Sequence, residues 1–275
     1  MRSAIGSIAW QEFVLNRRNR WVVFFAGLFA VTTTVISYFG MVTSGYAGFQ
    51  DFIRTAASLA NLGGFLIPLF ALLLGVFSFL SEREYLEILA TQPIPRSHVL
   101  LGKICGLCLT VIAASAIGFG IPGAVIAMSI GTEGALGYLM VVVYNTLLAV
   151  IFVGLSVLIA LATGRRQIAL GIAIGVWIFF ELVYGMLMLG TTLYLPAKIL
   201  KTTLLVGLFG NPVDIARVLA LLHVGGPHLF GPAGATLIKL AGSTTIATMV
   251  GIIGLIAWIV VPVLLAMWIF KRQDL

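Results

Sequence analysis

Charged residues are scarce in this 275-residue sequence, where Asp, Glu, Lys and Arg make up 9% and hydrophobic residues 61%. A soluble domain carries about 25% charged residues. A soluble core of this size cannot hide so much apolar surface, so lipid must be the solvent for most of the chain. The composition therefore excludes an ordinary soluble globular protein and predicts a polytopic membrane protein.

Motifs for catalysis are also missing. The pair Gly102-Lys103 is followed by Ile104 and lacks the upstream glycine of a phosphate-binding loop, which excludes ATP binding in that mode. Ser156 has no histidine in any predicted span to act as its base, and the sequence contains no H-E-x-x-H metalloprotease motif. We therefore expect no catalytic residue and no cofactor in this chain, and no enzymatic activity of its own.

Cysteine is rare as well, and the two that occur provide no disulfide framework. Cys105 and Cys108 lie at positions i and i+3 of one predicted helix. Soft thiols at that spacing are candidate ligands of Cu(I). Small apolar packing residues are the commoner role of such cysteines, so the sequence predicts no metal site and leaves this pair as its metal candidates.

Six apolar runs are long enough to cross a bilayer, since a helical span needs about 20 mostly apolar residues. They cover residues 21–42, 56–80, 104–130, 138–162, 168–190 and 246–270. We predict an all-α fold in which residues 21–275 form a single six-span transmembrane domain, preceded by an interfacial helix at residues 1–20. An even number of spans places both termini on the same side of the membrane.

The distribution of Lys and Arg predicts which side that is. Eleven of them flank the spans on the side of the termini and five lie on the other side: Arg2, Arg17, Arg18, Arg20, Arg83, Arg96, Lys103, Arg165, Arg166, Lys271 and Arg272 against Arg54, Lys198, Lys201, Arg217 and Lys239. Cytoplasmic loops are enriched in both residues, so both termini are predicted to be cytoplasmic. The enrichment of Lys and Arg in cytoplasmic loops thus explains the net charge of +7. Without a long basic face interleaved with aromatic residues, we expect no nucleic-acid partner.

Residues 191–245 form the only large piece predicted on the external side, and they contain a helix start. Asn211 is suited to cap a helix, Pro212 fits its first turn, and Asp214 complements the helix dipole. The apolar residues that follow recur at helical spacing and predict a helix with one apolar stripe: Ile215, Val218, Leu219 and Leu222. We therefore predict a periplasmic helical segment here.

Glu181 is the one acidic residue deep inside a predicted span. A charge at the bilayer centre costs roughly 2.5–3.5 kcal/mol even on the most lenient scale. We expect the Glu181 side chain to face protein or water, or to be protonated. A structural hydrogen bond and a role in a path or gate both remain open.

The loop at residues 81–103 has an acidic first half, with Glu82, Glu84 and Glu87, and a break at Pro93 and Pro95. It reads as a short acidic helix followed by a second helix that enters the membrane. Such a segment is either a solvated connector, a piece lying on the membrane, or a helix that docks into the groove of a partner. The residues alone do not decide between these.

The second half of this loop, from Pro93 to Lys103, fits the pattern P-x-x-R-x-x-[IV]-L-x-G-K. It resembles the signature of ABC-2 type transporter permeases. The segment from Glu12-Phe13 to Trp21 is similar to the amphipathic entry helix of the same superfamily. The segment Asn211–Arg217, with its N-P-x-D-x-x-R pattern, resembles the NosY-type permeases of nitrous oxide reductase maturation clusters.

The resemblance implies a homodimer of six-span subunits in a bacterial inner membrane, bound by two cytoplasmic ATPase subunits that hold ATP and Mg. Loop 81–103 would then be the coupling segment, with these contact residues: Glu82, Arg83, Glu84, Glu87, Pro93, Arg96 and Lys103. Asn211, Asp214 and Arg217 would contact a periplasmic partner, a NosD-like protein in the NosY-type relatives. The implied role is copper-site maturation of nitrous oxide reductase.

Two alternatives remain at this stage. The first is an ABC-2 exporter of a small or lipophilic molecule, which shares the fold and differs in its partners. The second is a secondary carrier or an intramembrane enzyme. That alternative predicts several polar groups converging in the middle of the membrane, and in the predicted spans Glu181 alone does not supply them.

Overall fold

The computed structural model of the chain describes residues 4–42, 49–81, 95–130, 135–225 and 231–272. Every regular element in these ranges is a helix. The elements are α1 (Ala4–Arg17), α2 (Arg20–Val42), α3 (Phe49–Ser81), α4 (Arg96–Ile130), α5 (Ala135–Thr163), α6 (Arg166–Ile178), a π-helical segment (Phe179–Val183), α7 (Tyr184–Tyr194), α8 (Ala197–Gly210), α9 (Pro212–Gly225), α10 (Gly231–Ala241) and α11 (Thr244–Arg272). The predicted all-α class is confirmed.

Six helical stretches of the described chain are long and apolar enough to cross a membrane: α2, α3, α4, α5, the continuous α6–π–α7 rod, and α11. Each contains one predicted run, so the six-span prediction is also confirmed. Most of the helices extend beyond the runs, because an apolar run marks only the part of a helix inside the hydrocarbon layer. We call the end of the bundle where α2 begins and α11 ends the terminal end, and the opposite end the distal end.

Helix α5 occupies the centre of the bundle, where α3, α4, α9 and α11 all pack against it. Its consecutive residues Ile151, Phe152 and Val153 are fully buried, which requires neighbours on every side. Ser156 donates a hydrogen bond to the carbonyl of Val153 (2.7 Å), and a side chain added at Gly75 of α3 would overlap it. Ser156 is therefore a packing residue at the α3–α5 contact, where small residues let membrane helices approach closely.

The fifth span is the most exposed of the six. Along residues 166–194, all of which the structure describes, Ala169 and Ala173 are the buried residues. Large apolar side chains such as Leu187 and Leu193 project from it. These side chains are free to face lipid or another apolar surface.

Three helices connect the fifth and sixth spans, and the middle one lies inside the bundle. Helices α8 and α9 meet at Asn211 with a bend of 102°. Helix α9 packs against α5, α3 and α11. Its buried residues include the predicted stripe but also residues on the other sides: Val213, Ala216, Ala220 and Leu221. The prediction of a single apolar stripe was therefore too narrow, because α9 is surrounded by spans.

Candidate functional site

The centre of the fifth span departs from α-helical geometry. Over Phe179–Val183 the helix widens into a π-turn, and the N–H of Tyr184 bonds to the carbonyl of Phe179, five residues earlier. Single π-turns inside α-helices are rare and occur frequently at functional sites. Glu181 lies in the middle of this turn, and its side chain is only 4% exposed. Its surroundings are therefore protein, which was one of the predicted environments.

Glu181 meets the first turn and a half of α9. The Arg217 guanidinium lies between two carboxylates, with its Nη2 3.5 Å from Oε2 of Glu181 and its Nη1 3.5 Å from Oδ1 of Asp214. The amide nitrogen of Asn211 donates hydrogen bonds to Oδ2 of Asp214 and to the carbonyl of Phe180, both at 2.9 Å. We call Glu181, Asn211, Asp214 and Arg217 the polar cluster.

Asn211 has a second task as the cap of α9. Its Oδ1 accepts a hydrogen bond from the backbone N–H of Val213 at 3.0 Å, which satisfies one of the free donors at the start of the helix. The predicted helix start at Asn211–Pro212 is confirmed. One side chain thus begins α9 and ties that beginning to the π-turn of the fifth span.

The polar cluster lies near the middle of the spans. Phe180, which accepts the bond from Asn211, is central in the 166–194 rod, and Trp258, which bonds the carbonyl of Phe209 at 3.0 Å, is central in α11. The opposite end of α9 is distal, since a side chain added at Gly137, near the start of α5, would come within 3.0 Å of the His223 carbonyl. Helices α8 and α9 therefore form a hairpin whose tip reaches half-way through the bundle.

Two further hydrogen bonds hold the hairpin tip. The hydroxyl of Tyr184 donates to the carbonyl of Gly207 at 2.6 Å, and the indole N–H of Trp258 donates to the carbonyl of Phe209. Irregular backbone at membrane depth is tolerated only where protein groups or water satisfy it. The end of α8 thus obtains its donors from the fifth and sixth spans.

The polar cluster is incompletely satisfied. Oε1 of Glu181 and Nε of Arg217 are buried and make no hydrogen bond within the described chain. Two carboxylates share a single guanidinium, which leaves an excess negative charge when all three groups are ionised. A small cavity beside Arg217, lined also by Gly64, Asn145 and Val213, has room for about one water molecule. The cluster therefore joins the fifth span to α9 with its charges and hydrogen bonds only partly balanced.

The predicted coupling residues fall into two groups. Glu82, Arg83, Glu84, Glu87 and Pro93 lie outside the described residues. Arg96 begins α4 at the terminal end and is partly exposed.

Lys103 was predicted to contact the ATPase, which would require an exposed side chain, but it is buried. Its side chain is among the largest fully buried ones, and its Nζ lies 3.0 Å from Oε2 of Glu12 on α1. The charge of Lys103 is therefore paired inside the subunit.

The two cysteines differ in environment. Cys105 is exposed and Cys108 is buried in the apolar core. In the part of the chain that the structure describes, no three His, Cys, Asp or Glu side chains gather in a way that would hold a metal ion. Cys108 has the position of a packing residue.

Known proteins resemble this chain over nearly its whole length. Residues 7–275 match the family described as ABC-2 family transporter protein. The chain belongs to the ABC-2 transporter family. A probable ABC transporter permease protein NosY from Stutzerimonas stutzeri is 35% identical to it over 277 residues, covering 98% of both chains. A protein of the same name from Pseudomonas aeruginosa is 30% identical over 283 residues, covering 98% of this chain and 99% of its own.

Membership of the ABC-2 family changes the functional interpretation of the polar cluster. Converging polar groups at mid-membrane were the expected mark of a secondary carrier or an intramembrane enzyme. The structure does bring four such side chains together, but the family match places them in a transporter permease. Asn211, at 1% exposure, is also buried at mid-depth, so in this subunit it is not a surface residue available to a periplasmic protein.

Proposed function

We propose that this ABC-2 permease subunit couples ATP hydrolysis by a separate cytoplasmic ATPase to work on the periplasmic side of the membrane. The observation that carries this proposal is the family match over residues 7–275, because ABC-2 permeases work with ABC ATPases. The terminal end, with the predicted coupling loop at residues 81–103, faces the cytoplasm and the ATPase. The distal end, with α8–α10, faces the periplasm.

The hairpin supplies a physical route between the two sides. Its tip is bonded to the π-turn of the fifth span through Asn211 and Arg217, and its helix α9 runs from there to the distal end. A shift of the fifth span relative to α5 therefore pulls directly on α9. Asn211, Asp214 and Arg217 act within the membrane in this scheme, and the distal end of the hairpin meets the periplasmic partner.

We further propose that the work serves copper-site maturation of nitrous oxide reductase, with a periplasmic NosD-like partner. The support is the name NosY of two relatives that each match 98% of the chain. Removal of the chain should leave nitrous oxide reductase synthesised but deficient in copper, measured by metal analysis of the purified enzyme and by nitrous oxide consumption in whole cells. Fully copper-loaded reductase in the deletion strain would reject this role. Retention of a small or lipophilic molecule by those cells would instead favour an exporter.

The exposed fifth span offers a surface for a second copy of the chain. A side chain added at Gly171 or Gly175 of α6 would meet nothing within 4 Å in the subunit. Two small residues four positions apart allow close helix approach in membranes. We propose that these glycines face the partner subunit of a homodimer. Gly171→Leu and Gly175→Leu should shift the purified permease from dimer to monomer in native mass spectrometry, and an unchanged dimer would place the interface elsewhere.

The ATPase contact has its own test. Reversing Glu82, Glu84 and Glu87 to Lys should prevent co-purification of the ATPase while the permease still inserts. A charge pair desolvated at an interface costs roughly 2–5 kcal/mol when one partner is removed, whereas an exposed pair is worth about 0–1 kcal/mol. Unchanged co-purification together with unchanged ATPase stimulation would mean that this loop has no part in coupling.

A further inference from the structure

Helix α1 packs on α4 and reaches the last turn of α3 through one side chain, and these two helices flank residues 82–94 of the predicted coupling loop. Helix α3 ends at Ser81 just before the loop, and α4 begins at Arg96 just after it. Helix α1 packs along the first turns of α4. Its buried face contains Ile8 and Ala9 but also two polar residues, Glu12 and Asn16.

The carboxylate of Glu12 bonds to both flanking helices. Its Oε2 lies 3.0 Å from Nζ of Lys103 on α4. Its Oε1 accepts a hydrogen bond from the hydroxyl of Ser78 on α3, and another from the amide of Asn16 at 2.9 Å. Every one of these side chains is buried, Glu12 at 2% exposure and Lys103 at 1%. One acidic group thus joins the end of α3 to the start of α4.

Two glycines allow this contact. A side chain added at Gly102 would come within 2.8 Å of Cβ of Ile8, and one at Gly106 within 2.7 Å of the Ala9 carbonyl. The backbones of α1 and α4 therefore touch directly. Lys103 also lies 5.8 Å from the ring centre of Phe79 on α3, which is a second link between the two flanking helices.

We propose that Glu12 is a positioning residue for coupling, which clamps α3 and α4 at the base of the 82–94 loop. When Glu12 is bonded to both Lys103 and Ser78, a displacement of the coupling loop by the ATPase moves α1, α3 and α4 together. Without these bonds, the link between α3 and α4 at the loop is weaker, and less of the movement is transmitted to the spans. This inference rests on the proposed function, because it requires the loop to receive the ATPase movement.

The alternative is that Glu12 only stabilises the fold. Breaking one side of a buried pair leaves an uncompensated charge, so Glu12→Gln and Lys103→Met alone are expected to lower the amount of folded permease. Combining them removes both charges. A buried pair replaced by neutral groups of similar size is often as stable as the original. The double variant therefore restores folding while the ionic link between α1 and α4 stays absent.

The test uses the permease and its ATPase co-expressed, purified as a complex and placed in lipid nanodiscs. Three quantities are measured for each variant: the apparent Tm, the amount of bound ATPase, and the ATP hydrolysis rate relative to the free ATPase. For Glu12→Gln/Lys103→Met we expect a near-native Tm and normal ATPase binding. We expect its permease-dependent stimulation to fall about fivefold or more, the lower bound of typical coupling between sites. Ser78→Ala, which removes only the Glu12 bond to α3, should shift stimulation in the same direction, and the exposed neighbour Gln11→Ala should match the wild type.

Two results would overturn the proposal. If the double variant regains both Tm and stimulation, Glu12 is only a stabilising residue. If the single variants lose Tm but keep stimulation per complex, the same conclusion follows. The Glu82/Glu84/Glu87 reversal separates these results from a failure of the proposed function: an inert loop reversal rejects coupling through the loop altogether, and the Glu12 role with it. An effective loop reversal beside an inert double variant rejects the Glu12 role alone.

Discussion

Arg217 should be the least replaceable member of the polar cluster. Arg217→Met keeps an apolar stem of similar length but removes the guanidinium that lies between Glu181 and Asp214. Removing one partner of a buried pair costs about 3–5 kcal/mol. Because a third of the Arg217 side chain is exposed, the lower end of that range, about 3 kcal/mol, is the expected loss of unfolding free energy.

Glu181→Gln should be much milder. Glutamine keeps an oxygen for the guanidinium, and Arg217 remains paired with Asp214, so the cluster becomes neutral. The expected loss of unfolding free energy is about 1 kcal/mol or less, similar to the loss of an exposed ion pair. In Glu181→Gln/Arg217→Met one stranded carboxylate is removed, and part of the Arg217→Met loss should return, since contacting residues typically couple by about 0.5–3 kcal/mol.

Thermal unfolding in nanodiscs, followed by tryptophan fluorescence, measures these differences. At about 2–4 °C per kcal/mol for a chain of 150–250 residues, Arg217→Met should lower the apparent Tm by roughly 6–12 °C and Glu181→Gln by at most about 4 °C. The reasoning is refuted if Glu181→Gln is the more destabilising, or if the double variant is no more stable than Arg217→Met. Either result would mean that the guanidinium does not hold the two carboxylates in the membrane.

Four shorter predictions follow. Glu181→Gln should still co-purify with the ATPase and retain function, because its carboxyl serves structure or gating; normal assembly with complete loss of transport would instead indicate a proton-coupled carrier. A cysteine introduced at Lys198 should react with an impermeant thiol reagent in intact cells and one at Ser97 should not, if the terminal end faces the cytoplasm as proposed; labelling at Ser97 would reject that orientation. Trp258→Phe removes the indole donor at the hairpin tip and should cost about 1 kcal/mol in nanodisc melts, whereas Trp268→Phe, at a side chain exposed in the subunit, should cost little; equal effects would contradict the tip contact. Gly106→Ala should push α1 off α4 at a cost of about 1–3 kcal/mol, read as faster proteolysis of the N-terminus; unchanged proteolysis would show that α1 adjusts without separating.

The sequence predicted the parts of the fold that depend on local pattern. Apolar run length identified the six spans, and the Asn211–Pro212 signature identified the start of α9, because capping involves only neighbouring residues. The isolation of Glu181 in an apolar run predicted that protein groups or water would surround it. The depth of the hairpin was not predicted, since small apolar residues such as Ala216 and Ala220 look the same on a buried side as on an exposed one.

The contacts between polar residues that lie far apart in the chain could not be predicted from the sequence. Glu181 and Arg217 are paired only because the hairpin folds back into the bundle, and no local periodicity encodes that fold. For Glu12 a signal existed: Ile8, Glu12 and Asn16 are four residues apart and so share one helix face with the apolar residues. Residues 1–20 were predicted to form an interfacial helix, and the two polar residues on its buried face show why it packs on protein instead.

The hairpin tip also constrains the order in which the chain is assembled in the membrane. Its backbone acceptors are satisfied by Tyr184, made before the hairpin, and by Trp258, made after it. A ribosome that has just released residues 197–225 has not yet produced the second donor. The full set of hydrogen bonds at the tip therefore forms only after α11 has been inserted, whereas its bonds to the fifth span involve residues that are already present. A chain truncated before α11 would lack the Trp258 donor, so the carbonyl of Phe209 would be left without this hydrogen bond at membrane depth.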